Sequence, residues 1–453
     1  MSAPRLSSGN PRLDEVFHGG PPANGIVLIT GLPGVGKTIL AQQYLFNNST
    51  PERPGIYLST VSEPMEKILR YGEALDFFDS AAVGSSVYYQ NLGDDISQTG
   101  LGGILHRVDE LLKERKPSIL VIDSFKAIHA YSTEDRELRS FLHQLAAILS
   151  VFPVTTFLLG EYAAEDMADY PEFAVVDIIV SLEVERVSER EKRVLQIAKM
   201  RGSDFRSGRH AYRISSAGLD AFPRLADPLD VATYQLSPER CETGVPGLDD
   251  MLTDGLWEGS STLIAGPSGS GKTLLGLHFI LTGAQRDQKG LIATFQENPV
   301  QLQRMCAGFG WSLDTENVEL MYGSPVDLHI DEWVYELLDR SNQIGAKRIL
   351  IDSLGDLNIA AGDEIRFREY MYSLLQRLSR SGTTVMMTQE TADFFETSRL
   401  AERGISHLSD NVVLLNYVAG ENELTRAITV LKTRATAHDE TVRSYTITDQ
   451  GMT

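Results

Sequence analysis

The feature that most constrains this chain is that it repeats itself. Gly9-x-Pro11-x-Leu13-Asp14 recurs as Gly244-x-Pro246-x-Leu248-Asp249, 235 residues on. The segment GLPGVGKT at 31–38 recurs as GPSGSGKT at 266–273, and Gly55 and Pro64 recur as Gly290 and Pro299, all at the same spacing. The apolar run ending in Asp123-Ser124 matches the run ending in Asp352-Ser353, now 229 residues on. Lys199-x-Arg201 pairs with Lys432-x-Arg434, and Tyr212 and Gly218 pair with Tyr445 and Gly451, at 233. Landmarks this numerous, with offsets that drift so little, mark two copies of one domain. The first copy is expected over 1–221 and the second over 240–453. Three prolines between 222 and 239 predict an extended linker.

Within each copy, short β-branched runs alternate with helix-like segments. GIVLIT (25–30), SILVID (118–123) and RILIDS (348–353) each carry an unbroken run of aliphatic residues, as strands buried on both faces do. TILAQQYLFNNS after the first glycine segment has helical spacing, and FREYMYSLLQRLSRSG (367–382) is an amphipathic helix closed by Gly382. Strand–helix alternation predicts an α/β domain around a mostly parallel sheet in each copy.

Composition bounds the partners. The net charge of −21 repels nucleic acid and anionic membrane over most of the surface. No run of basic residues interleaved with aromatics appears, so nucleic acid is not an expected partner. Only Cys241 and Cys306 are present, which excludes a disulfide framework or a cysteine-built zinc site. The N-terminus carries no basic-then-apolar leader, and no apolar run approaches the ~18 residues of a membrane span. A soluble, cytoplasmic protein is expected, with no membrane partner.

The two glycine segments carry the chemistry. Each G-x-x-x-x-G-K-T follows a predicted strand and opens a predicted helix, the context that makes the motif a phosphate-binding loop. Gly31, Gly34, Val35 and Gly36 in the first copy, and Gly266, Gly269, Ser270 and Gly271 in the second, would turn backbone N–H groups onto phosphate oxygens. Ile39 and Leu274 continue into the helix, whose positive end faces the same phosphates. Lys37 and Lys272 would reach the β- and γ-phosphates of ATP, and Thr38 and Thr273 would offer a hydroxyl to Mg²⁺. Asp123 and Asp352, each ending a strand, are the expected carboxylates for the Mg²⁺ water shell.

Hydrolysis also needs a carboxylate that polarises the attacking water. After the strand that follows the phosphate-loop helix, the second copy reads Thr294-Phe-Gln-Glu297-Asn-Pro299 and the first Ser59-Thr-Val-Ser-Glu63-Pro64. Anchored on the prolines, Glu297 faces Ser62, and Glu63 lies one residue later. Glu297 is the expected base; Glu63 is a candidate that a one-residue shift turns toward the other face. Lys199-x-Arg201 and Lys432-x-Arg434 each form a two-cation tooth able to reach a neighbouring subunit's phosphates.

Taken together, tandem phosphate loops, the G-x-P-x-L-D opening and the Lys-x-Arg tooth resemble the KaiC family of RecA-like ATPases, relatives of RadA and the DnaB helicases. The resemblance covers nearly the whole chain. It implies two tandem RecA-like P-loop NTPase domains, each a mostly parallel twisted sheet flanked by helices, and a homohexameric double ring with ATP and Mg²⁺ at subunit interfaces. There Lys199, Arg201, Lys432 and Arg434 would contact the neighbour's ATP. The family's paired glutamates fall here on Val61-Ser62 and on Gln296-Glu297, so the second domain keeps one carboxylate and the first keeps neither. The family's autophosphorylated Ser-Thr pair falls on Ser406-His407, leaving Ser406 as the candidate phosphoacceptor. The chain stops at Thr453 without the tail on which KaiA docks, so a KaiA-driven cycle is not expected.

Three function classes follow: an ATP-hydrolysing ring that acts as a clock-like signalling switch read by an unidentified protein partner; a Ser/Thr autokinase acting on Ser406; and a RadA- or DnaB-like ATPase working on DNA. The net charge favours the first over the last.

Overall fold

The computed structural model describes residues 4–60, 65–132, 134–187, 190–225, 237–326, 328–391, 405–419, 423–434 and 436–453. The chain divides into two compact units, Met1–Arg224 and Leu225–Thr453.

In the first unit, nine strands form one sheet: β1 (Ile26–Thr30), β2 (Gly55–Ser59), β3 (Val87–Asn91), β4 (Ile119–Asp123), β5 (Thr155–Gly160), β6 (Ile178–Val187), β7 (Arg190–Met200), β8 (His210–Ser215) and β9 (Gly218–Phe222). Their order is β3-β2-β4-β5-β1-β6-β7-β8-β9. The pairs from β3 through β6 are parallel and those from β6 to β9 antiparallel. The expected strands at 25–30 and 118–123 are β1 and β4. Their unbroken apolar character has a simple cause, because helices cover both faces of the sheet. Val27 and Ile29 of β1 pack with Leu40, Ala41 and Tyr44 of helix α1 (Lys37–Asn48). Leu28 points the other way, into a cluster with Ile104 and Leu142 from the helices Gly93–Arg115 and Asp135–Val151.

The second unit repeats the plan with β10 (Ser261–Gly266), β11 (Gly290–Thr294), β12 (Val318–Tyr322), β13 (Arg348–Asp352), β14 (Thr384–Glu390), β15 (Asn411–Ala419), β16 (Leu424–Lys432) and β17 (Arg443–Tyr445). The order β12-β11-β13-β14-β10-β15-β16-β17 is that of the first eight strands of the first sheet; the counterpart of its ninth, Gly451–Met452, pairs instead with Ile447–Thr448. Helix α2 (Lys272–Ala284) stands where α1 does, and the amphipathic segment forms the helix Glu364–Arg380, followed by Gly382 at φ 70°. Even the openings match: Ser8 N–H donates to Asp14 Oδ1 at 2.7 Å, and Thr243 N–H donates to Asp249 Oδ1 at 2.7 Å.

The copies diverge at Arg348, a fully buried arginine at the start of β13 where the first copy has Ile119. Its guanidinium donates to Gln288 and to the carbonyls of Glu242 and Phe279, each at 2.8 Å, so three of its five N–H donors are met by uncharged oxygens. No described helix is long and apolar enough to cross a membrane.

Candidate nucleotide sites

Both phosphate loops lie at the carboxyl end of the central strand, where parallel α/β sheets gather their functional loops. Gly36 and Gly271 cap α1 and α2 at φ 100° and 94°, a left-handed turn that brings the chain sharply from strand into helix. Gly31 and Gly266 are dictated by space: a Cβ there would sit 2.2 Å from the Leu182 carbonyl and 2.4 Å from the Leu415 carbonyl.

The topology delivers the carboxylates. Registers place Ser59 opposite Asp123 and Thr294 opposite Asp352. Thr38 Oγ1 donates to Asp123 Oδ2 at 2.8 Å, and Thr273 Oγ1 donates to Asp352 Oδ2 at 2.6 Å. A hydroxyl and a carboxylate held together beside a phosphate loop are the oxygen donors that a hard cation such as Mg²⁺ takes. Lys37 Nζ donates to the carbonyls of Gly31 and Leu32 at 2.8 and 3.0 Å, and Lys272 Nζ to that of Pro267 at 2.9 Å. Burial pushes both ammonium groups below their usual pKa. Glu161 and Asp123 oppose this at Lys37, and Glu390, Asp352 and Glu297 oppose it at Lys272.

Glu297 belongs to the second site. The chain leaves β11 at Thr294, whose hydroxyl donates to the Glu297 carbonyl at 3.1 Å. Asn298 then caps the helix Pro299–Gly308 reciprocally with Gln301. The turn carrying Glu297 is therefore fixed at both ends. Burial, then the charges of Asp352 and Asp356, raise the Glu297 pKa above the usual carboxylate range, while Lys272 pulls it down. Gln296 is directed elsewhere: it is exposed, and its amide donates to Asp356 at 3.4 Å. Glu63 lies outside the described residues, as does the side chain of Ser406.

The two teeth are not brought to the phosphate loops of their own domains. Lys199 Nζ and an Arg201 Nη both donate to the Ala174 carbonyl, at 3.3 and 3.0 Å. Backbone bonds link Arg201 to Asp177 and Asp177 to Ile26, the first residue of β1. Lys432 Nζ and an Arg434 Nη likewise donate to the carbonyls of Ser409 and His407, at 2.6 and 2.8 Å, and the backbone chain runs Arg434–Asp410–Ser261 to the start of β10. Each tooth thus stands a full strand away from the loop, roughly 16 Å at about 3.3 Å per residue.

Several site residues escape a reading of motifs. Tyr212 donates to the carbonyl of Val35 at 2.6 Å, and Tyr445 donates to that of Ser270, so both copies pin the phosphate loop from the antiparallel edge. The Tyr445→Phe variant is expected to bind ATP about five-fold more weakly at the second site, the scale of one lost hydrogen bond; titration of a fluorescent ATP analogue reads it directly. Glu390 is paired in register with Gly266, and its copy Glu161 follows Gly160, which pairs with Thr30 just before Gly31. Their common offset of 229 was available in the sequence. Tyr57 donates to Asp123 Oδ2 at 2.5 Å, while Thr388 donates to Asp352 Oδ1. Neither of these two has a counterpart of the same type in the other copy, so the repeat gives no sign of them.

Comparison with known proteins agrees with this geometry. The family described as "ATPase: KaiC" matches residues 6–226 and again residues 241–453. Among curated proteins, the chain is similar to the circadian clock oscillator protein KaiC of Rippkaea orientalis, with 28% identity over 97% of this chain and 86% of the relative. The KaiC of Synechococcus elongatus is 27% identical over the same shares. The circadian clock protein KaiC3 of Synechocystis is 27% identical over 99% of this chain and 91% of its own.

Proposed function

Because the chain belongs to the KaiC family of ATPases, we propose that it is an ATP-binding and ATP-hydrolysing ring protein whose nucleotide state is a clock-like signal read by a protein partner. Its two ATPase domains are residues 1–221 and 240–453, joined by the linker 222–239, and it works in the cytoplasm as a homohexameric double ring. Curated relatives carry the name circadian clock oscillator protein, which supports the switch reading over one in which the chain acts on DNA.

Each domain would hold one ATP. The loop N–H groups and Lys37 or Lys272 would take the phosphates, and Thr38 with Asp123, or Thr273 with Asp352, would hold Mg²⁺. When bound, the cation neutralises charge on the phosphate oxygens. Glu297 would accept the proton of the attacking water in the second domain. The first domain has no carboxylate at the matching position, so it would retain ATP and turn it over slowly or not at all.

One observation carries the ring: each Lys-x-Arg tooth sits at the opposite end of its sheet from the phosphate loop. A cation there serves ATP only if the ATP is held by a different phosphate-loop domain, as it is between neighbouring chains of a ring. Mixing two inactive variants tests this. Lys272→Ala lacks the second loop's lysine, and Arg434→Ala lacks the tooth. Each alone is expected to hydrolyse little ATP, and the mixture to regain a measurable fraction, because some interfaces then combine an intact loop with an intact tooth. No recovery on mixing, under conditions where the chains exchange, would count against action between subunits.

A further inference from the structure

The two aspartates that face the phosphate-loop threonines are steadied in different ways. In the second domain Asp352 accepts from Thr388, on the neighbouring strand β14, at Oδ1, and from Thr273 at Oδ2. In the first domain the position of Thr388 is held by Leu159. The second donor comes instead from β2 on the other side: Tyr57, whose place in β11 is taken by Ile292. The Tyr57 hydroxyl donates to Asp123 Oδ2 at 2.5 Å, the same oxygen that accepts from Thr38 at 2.8 Å. The Tyr57 ring is fully buried in the cluster that includes Leu40 and Tyr44 of α1, and lies against Tyr89 at 5.1 Å between centroids.

These two arrangements differ in what they leave for a cation. The loop threonine can release its aspartate, because its hydroxyl oxygen is itself an expected metal ligand. In the second domain that release frees Oδ2, since Thr388 bonds the other oxygen. In the first domain Oδ2 stays engaged by a phenol that cannot swing into water from its packed position. A hydrogen bond to a carboxylate is among the stronger kinds and draws negative charge from the oxygen that accepts it.

We infer that Tyr57 is a positioning residue that weakens the grip of the first site on its divalent cation, so that this domain retains nucleotide with little dependence on Mg²⁺. The inference rests on the reading that the first loop binds ATP. It extends that reading by assigning the unequal metal dependence of the two sites to one phenol, rather than to the missing glutamates alone.

The test uses the full-length chain carrying Lys272→Ala, in which nucleotide binding reports the first site. A fluorescent ATP analogue is titrated in EDTA and again in Mg²⁺. With Tyr57 present, Mg²⁺ is expected to tighten binding only slightly. Tyr57→Phe keeps the ring and removes the donor; its EDTA affinity should be unchanged, while the tightening by Mg²⁺ should grow about ten-fold, the scale of one hydrogen bond to a charged group. An unchanged or smaller gain from Mg²⁺ would overturn the proposal. So would a loss of affinity in both buffers, which would make Tyr57 a packing residue. If the Lys272→Ala chain binds no nucleotide that Lys37→Ala removes, the reading of the first site fails, an outcome distinct from binding with unaltered metal dependence, and the proposal fails with it.

Discussion

Glu297→Gln should lower steady-state ATP turnover by about 10²–10⁴-fold while leaving ATP binding at both sites in place, the loss typical of a positioned base. Glutamine keeps the shape and the hydrogen bonds of the turn between Thr294 and Asn298, so the change isolates the carboxylate. The pH profile gives an independent readout. A base works only when deprotonated, and burial beside Asp352 and Asp356 raises the Glu297 pKa. Turnover should therefore fall on the acid side at a pH above the usual carboxylate range, and Glu297→Gln should abolish that limb along with the rate. With γ-labelled ATP, the label should appear as free phosphate. Label retained on the chain and lost in Ser406→Ala would replace the ATPase switch with an autokinase.

Lys37→Ala should have a different signature, shifting the ring toward lone chains at dilute protein and lowering turnover only where the ring is lost, whereas Glu297→Gln lowers it at every concentration. A ligand bound only by the assembled form stabilises it by mass action, by about 4 kcal/mol when its concentration is about 1,000 times Kd. If the first domain holds ATP without consuming it, losing that lysine removes the stabilisation but leaves Glu297 and its surroundings intact in the rings that still form at high protein concentration. Sedimentation velocity in ATP, alongside phosphate release per chain, separates the two effects. An intact ring in Lys37→Ala would mean that the first nucleotide does not hold the subunits together.

Much of this was legible in the sequence because a repeat turns one observation into two. The phosphate loops, the strands ending in Asp123 and Asp352, and the alternation of strand and helix are local patterns fixed by spacing and apolar runs. Other features were not, for a physical reason. The bond from Tyr57 to Asp123 spans 66 residues and that from Tyr212 to Val35 spans 177; both exist only because strand order and register bring those positions together. The pairing of Gln296 with Asp356 depends on where a side chain turns after its strand ends, which no periodicity encodes. The teeth were visible as residues, but their distance from their own loops follows from the direction of the strands on which they sit.

That distance bears on how much of the protein there must be. Each sheet holds its phosphate loop at one end and its tooth at the other, so if the teeth act between chains as proposed, a single chain carries every part of the catalyst without bringing the parts together. Turnover per chain should then climb with total protein and level off once the rings are filled. On dilution it should collapse faster than the protein itself. A cell could thus silence this ATPase by synthesising less of it, with no inhibitor at all.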